Sequence, residues 1–255
     1  MTRKLIQYGL GSILGISFVA TTAYTGFNPF VAVGQLSDSW TFLAEDFFPP
    51  AFSLKETIVE CVLVTLALAI SSASVAAVLA LVAAVFGSTK TSPSVWLAGI
   101  IRGVATFLRN IPTLVWAFIL FSSLGIGTSV GFAALVITSF AFMTRTFIEV
   151  IDEIPTDTIE CLTAVGATFW QRMFQCVLPC CVEGFISWFL YCLEVNIRAS
   201  TIVGMVGGCG SGMVLLAYLK SFKYHEASGI ILMIAVLVIV VDILTSVLRK
   251  KVMDR

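Results

Sequence analysis

Between Cys61 and Phe86 the chain carries no charged side chain. A membrane-crossing helix needs roughly 20 mostly apolar residues, so this segment alone points to a span over 58–86. It is rich in Ala and Ser, with Ser71-Ser72-Ala73-Ser74 at its centre, and small residues let helices approach closely in lipid. Five further apolar stretches follow the same pattern, at 5–24, 95–124, 130–148, 182–197 and 227–248, the third element being interrupted by Arg109-Asn110-Ile111-Pro112. Charged residues make up 12% of the chain and hydrophobic ones 58%, whereas soluble domains carry about 25% charge. The pattern predicts an all-α, polytopic transmembrane helical bundle of about six spans.

The first stretch follows Arg3 and Lys4 and lacks a clean Ala-x-Ala cleavage site, so it reads as a retained anchor rather than a signal peptide. Lys and Arg stay on the cytoplasmic side of short loops. Arg3 and Lys4 put the N-terminus inside, and Arg249, Lys250, Lys251 and Arg255 put the C-terminus inside. Six spans satisfy both. The same count puts the Lys90 turn inside, the acidic stretch from Asp38 to Asp46 outside, and a polar excursion over 149–179 inside.

Several chemistries are disfavoured. Net charge is zero, so no basic field awaits nucleic acid. No C-x-x-C pair accompanies the lone His225, which argues against a metal site. The seven cysteines read as small hydrophobes in apolar stretches. The glycine run from Gly204 to Gly212 lacks the Gly-Lys-Ser/Thr of a P-loop and the strand–helix–strand setting of a dinucleotide fold.

The polar excursion is a segment that lipid does not require. Over 158–177, Ile159, Leu162, Ala164, Val165, Phe169 and Phe174 fall broadly at helical spacing. Thr156 or Asp157 is placed to cap the start, and Glu160 to sit in the first turn, where a carboxylate suits the helix dipole. Pro179 is expected to end the segment before the fifth span. Taken alone, the pattern fits either a docking helix or an amphipathic helix lying on the membrane.

Three motifs narrow this. Glu160-Cys-Leu-Thr-Ala164-Val-Gly166, followed by Leu178-Pro179, resembles the EAA loop of ABC-importer permeases, with Cys161 where the family usually has Ala. Glu194-Val-Asn196-Ile-Arg198, followed by the run through Gly204, Gly207, Gly210 and Gly212, resembles the signature of phosphonate-type ABC permeases. Arg109-Asn-Ile-Pro112-Thr-Leu114-Val-Trp116-Ala117 is similar to a further segment of that family. Departures lie in the glycine run: Gly208, Cys209 and Ser211 stand where Ala, Gly and Ile are usual. If the usual Gly has positive φ, Cys209 is strained there.

The resemblance covers roughly 55–249. It implies a type I (MetI-like) ABC importer permease domain over 55–255, preceded by an N-terminal anchor and external segment over 1–54. It implies a cytoplasmic coupling helix carrying Glu160, Ala164, Gly166, Leu178 and Pro179, and a translocation path or gate near Arg109, Pro112, Glu194, Asn196, Arg198 and the four glycines. It further implies a bacterial inner-membrane homodimer, an external solute-binding protein, and two cytoplasmic ATPase subunits that hold the ATP and Mg, with no cofactor on this chain and no catalysis of its own. The implied cargo is phosphonate or a related phosphorus oxyanion.

The residues themselves suggest a polar path. Intramembrane charges normally face a bundle interior or a water-filled cavity. Glu194 and Arg198 are one turn apart and can pair, as a structural salt bridge or as a lining beside a gate. Asn196 points elsewhere and can bond a neighbouring helix. Arg102 and Arg109, seven apart, share a face and form a candidate cationic strip, the alternative being that Arg102 snorkels to the interface. Asp242 is placed to meet Arg249. A proton-coupled secondary transporter is the alternative, with Glu60, Glu194 and Asp242 as candidate relay groups.

Overall fold

The computed structural model describes residues 2–51 and 55–253. The chain forms two compact units, Met1–Pro49 and Pro50–Arg255. The first holds α1 (Thr2–Thr25), α2 (Pro29–Gly34), α3 (Leu36–Phe42) and a π-helical turn at Leu43–Phe47. Asn28 starts α2 by accepting the Phe30 N–H on its side chain at 3.0 Å, with Pro29 at the first helical position, where no N–H is needed. The chain bends by 79° between 7–25 and 29–47.

The second unit holds α4 (Lys55–Gly87), α5 (Val95–Asn110), α6 (Thr113–Leu124), α7 (Thr128–Asp152), α8 (Thr156–Ala164), α9 (Phe169–Arg172), α10 (Leu178–Val203), α11 (Ser211–Lys220) and α12 (Tyr224–Met253). Among the described residues, four helices are long and apolar enough to cross a membrane: Val59–Gly87, Thr128–Asp152, Phe169–Gly208 and Tyr224–Met253. Counting each bent pair as one span raises the total to six.

The α4–α7 pair is the centre of this unit. Ala69, Ala73, Ala76, Ala80 and Ala84 are fully buried on α4, and the last three pack with Met143, Phe147, Ile148 and Ile151 of α7. Their spacing of three and four keeps them on one helical face, and the lack of bulk lets the larger α7 residues fill the seam. α10 packs on both helices, α5 and α6 pack on α7, and α12 packs on α10.

The third span is interrupted where the sequence places the interruption, and the fifth departs from expectation. The third is broken by 89° into α5 and α6. Ile111 is extended (φ −93°, ψ 121°), as a residue before proline prefers, and Pro112 starts α6 without an N–H to continue the ladder. The fifth is longer than 182–197 and begins before Pro179, because 169–208 runs as one helix. Pro179 therefore does not end the preceding segment. A π-helical turn at Met173–Val177 lies just before it, and such a widened turn absorbs the hydrogen bond that proline cannot make.

Candidate functional site

Two polar clusters and the glycine run lie on this frame. One end of the unit gathers the turn after α4, the start of α8 and the end of α7. Asp152 is its hub. Its Oδ1 accepts Ser88 Oγ at 2.6 Å, Thr89 N at 3.0 Å and Thr89 Oγ1 at 3.1 Å, while Oδ2 pairs with Arg102 Nη2 at 2.6 Å. Arg102 Nε also donates to Gly87 O at 2.7 Å, and Lys90 Nζ donates to Ile154 O. Arg102 is thereby committed to a structural ion pair, so it forms no cationic strip with Arg109. Sequence reading missed Ser88 and Asp152, whose partners lie 50 or more positions away along the chain.

α8 follows directly. Pro155 occupies its N-cap and no side chain caps it, so neither Thr156 nor Asp157 plays that part. Asp157 is the acidic residue of the first turn, and Glu160 lies in the second. Ile159 is buried, while Glu160, Cys161, Ala164 and Gly166 are exposed. The expected helix through 158–177 is not continuous. It stops at Ala164, and Gly166 takes φ +81°. The Gly166 N–H then donates to Thr163 O and the Ala167 N–H to Leu162 O, both at 3.0 Å. This is the paired closure of a helix on a left-handed residue, for which glycine has no Cβ penalty.

The chain restarts at once. Thr168 and Gln171 form a reciprocal capping box for α9, and Arg172 Nη1 bridges back to Thr163 Oγ1 at 3.1 Å. Around this corner Val165 is 79% exposed. Trp170 and Phe174 are also exposed and stack at 6.0 Å. Leu178 is half-buried and Pro179 exposed at the start of α10.

The second cluster lies about midway along α7 and in the second half of α10. Asn196 is buried; its Oδ1 accepts Ser139 Oγ at 2.9 Å and its Nδ2 donates to Ser72 Oγ at 3.4 Å. One amide thus ties α10 to α7 and α4, as expected of a side chain pointing away from its neighbours. Glu194 pairs with Arg198, as the spacing predicts. Arg249 Nη2 lies 3.8 Å from the other oxygen of Glu194 and its guanidinium sits over Tyr191, so Arg249 turns to Glu194 rather than to Asp242. Arg109 and Pro112 line a cavity of about 220 Å³ with Thr113, Ser139, Phe142 and Asn196.

The glycine run closes the other end. It makes a π-helical turn at Gly204–Gly208, with Gly207 at φ 111°. Ser211 N donates to Thr65 Oγ1 of α4 at 3.0 Å, and a Cβ on Gly131 of α7 would meet Gly208 O at 3.0 Å. Gly204, Gly210 and Gly212 are buried. Cys209 sits at φ 61°, ψ 179°, a region populated almost only by glycine. The expected strain at this position is therefore present. Arg109, Pro112 and Asn196 thus share one cavity, Glu194 and Arg198 pair on α10, and the glycines and the α8 residues lie elsewhere.

Long apolar helices, one of the spans broken beside a small cavity, and an exposed amphipathic corner give the architecture of a multi-pass helical membrane protein. Residues 76–254 match the family described as the binding-protein-dependent transport system inner membrane component. The chain belongs to that family; it is a permease-type subunit and not an enzyme, and this decides against proton-coupled secondary transport. Among its relatives is the phosphite transport system permease protein PtxC of Stutzerimonas stutzeri, 34% identical over 208 residues, covering 82% of this chain and 76% of the relative. The phosphate-import permease protein PhnE of Mycolicibacterium smegmatis is 26% identical over 253 residues, covering 97% of this chain but 47% of that relative. The fold matches the MetNI methionine ABC transporter in an inward-facing conformation, with TM-score 0.70 at 21% identity, over 79% of this chain and 99% of that one.

Proposed function

We propose that this chain forms the translocation path of an ABC importer for a phosphorus oxyanion, working as a pair of permease copies with two ATPase subunits and an external solute-binding protein. The cargo class is supported by the likeness to the phosphite permease PtxC and the phosphate-import permease PhnE. The observation that carries the coupling role is the exposed corner formed by α8 and α9. It presents Glu160, Ala164 and Gly166 beside Val165, Trp170 and Phe174, and an apolar exposed patch with a polar rim marks an interaction surface. ATP and Mg belong to the ATPase subunits; this chain supplies the docking helix and the bundle that alternates access.

Charge placement supports both termini and the α8 corner on the cytoplasmic side of the bacterial inner membrane. Residues 1–54 then serve as an anchor with an external segment. The test is Gly166→Asp. Aspartate tolerates a left-handed backbone better than most residues, so membrane insertion is retained while a charge enters the docking face. Uptake is expected to fall on the order of tenfold or more, the scale of an interface hot spot, and the ATPase subunit should no longer co-purify. Wild-type uptake with the ATPase still bound would remove the coupling role from this corner.

A further inference from the structure

We infer that the cavity under the α5–α6 break is a transit site for the charged oxygens of the cargo, a tetrahedral phosphorus oxyanion if the function proposed above holds. Arg109 carries the argument. Among the described residues its guanidinium has an aromatic contact, 5.3 Å from the Phe142 ring centroid, and takes part in no ion pair. Every other arginine of α5, α7, α10 and α12 has a carboxylate partner. A cation within a membrane bundle is costly unless a cavity or counter-ion receives it. Arg109 is exposed on the single chain and lines a cavity that has no acidic side chain in its wall.

Most of the remaining wall is apolar, and the Thr138 and Ser139 hydroxyls donate elsewhere, which leaves two sources of donors. Thr113, the first residue of α6, lines the cavity, and no side chain caps that 12-residue helix. Pro112 O accepts the Val115 and Trp116 N–H groups, so the N–H groups left at its positive dipole end are those of Thr113 and Leu114, the kind of half-helix start that faces anionic cargo in transporters. Asn196 Nδ2 has a second N–H beyond its bond to Ser72. The volume, about 220 Å³, is below the ~300 Å³ at which sites for drug-sized ligands begin. By contrast, the larger cavity of about 540 Å³ beside α8 is lined by Glu153 and Glu183 and repels an anion.

The test is equilibrium binding of inorganic phosphite, methylphosphonate and sulfate to the permease–ATPase complex in nanodiscs, without the binding protein, for wild type, Arg109→Gln, Arg109→Lys and Arg145→Gln. Saturable binding of a phosphorus anion is expected. Arg109→Gln should weaken it roughly tenfold, the value of one charged hydrogen bond, Arg109→Lys should recover part of the loss, and Arg145→Gln should leave it unchanged. Equal binding by wild type and Arg109→Gln would overturn the inference. So would no binding of any anion by a wild-type complex that, once its binding protein is added, transports one. If only sulfate binds, and Arg109→Gln weakens it, the anion site stands and the phosphorus cargo falls.

Discussion

The Asp152 hub makes the sharpest stability prediction, because one carboxylate serves four donors from two segments. Consider Asp152→Asn and Arg102→Gln, singly and together. A hydrogen bond to a charged group contributes about 1.5–3 kcal/mol, while exposed ion pairs give ~0–1 kcal/mol. The Arg102 and Asp152 side chains are 29% and 24% exposed, between those limits, so the pair's coupling should be about 1–2 kcal/mol. The single variants should not be equal. Arg102→Gln leaves the Ser88 and Thr89 bonds in place. Asp152→Asn weakens those bonds and turns an NH₂ toward the guanidinium or the hydroxyls, so it should cost more.

A double-mutant cycle on detergent-solubilised protein, read as thermal unfolding at low and high salt, measures this. The coupling should persist at about 1 M salt, where the screening length falls to ~3 Å and a wholly exposed pair would lose its value. A coupling under about 0.5 kcal/mol, or equal costs for the two single variants, would refute the hub.

Two further outcomes follow from the opposite half of the bundle. Cys209→Gly should raise thermal stability by on the order of 1 kcal/mol, since relief of about 1–3 kcal/mol of backbone strain exceeds the ~0.5–1 kcal/mol entropy cost of glycine; a lowered unfolding midpoint would contradict the strained geometry. Asn196→Ala removes two interhelical hydrogen bonds, worth ~0.6 kcal/mol each in membrane bundles. A loss of about 1–2 kcal/mol is expected, and Ser139→Ala in that background should add little beyond it.

What could be read from the sequence was what lies within one helix or follows from apolar length. The spans over 58–86, 130–148 and 227–248 fall within α4, α7 and α12, and Glu194–Arg198 pairs because four residues make one turn. The strain at Cys209 was legible through the family resemblance, in which glycine usually stands at that position. The Asp152 hub was not legible: it joins residues 63 or more apart to Ser88 and Thr89, and no periodicity encodes that. The α8 break at Gly166 did leave a signal, a glycine just past an amphipathic turn. Apolar residues on both sides kept helical spacing, however, so the period ran through a corner that the backbone closes.

Three features sit at different heights on the same two helices. α7 carries Gly131 against the glycine run, Ser139 against Asn196, and Asp152 beside α8. The helix through 169–208 begins at the α9 corner and continues past Asn196 into the glycine run. For the proposed coupling the consequence is mechanical. A force on the α8–α9 corner enters a helix that does not end before the cavity, and between the corner and the cavity the ladder is widened at the π-helical turn at Met173–Val177. Pro179 makes that turn necessary by removing a donor. The proline that looked like a stop thus lies just past the widened turn inside one continuous helix, with Asn196 tying α10 to α7 and α4 further along it.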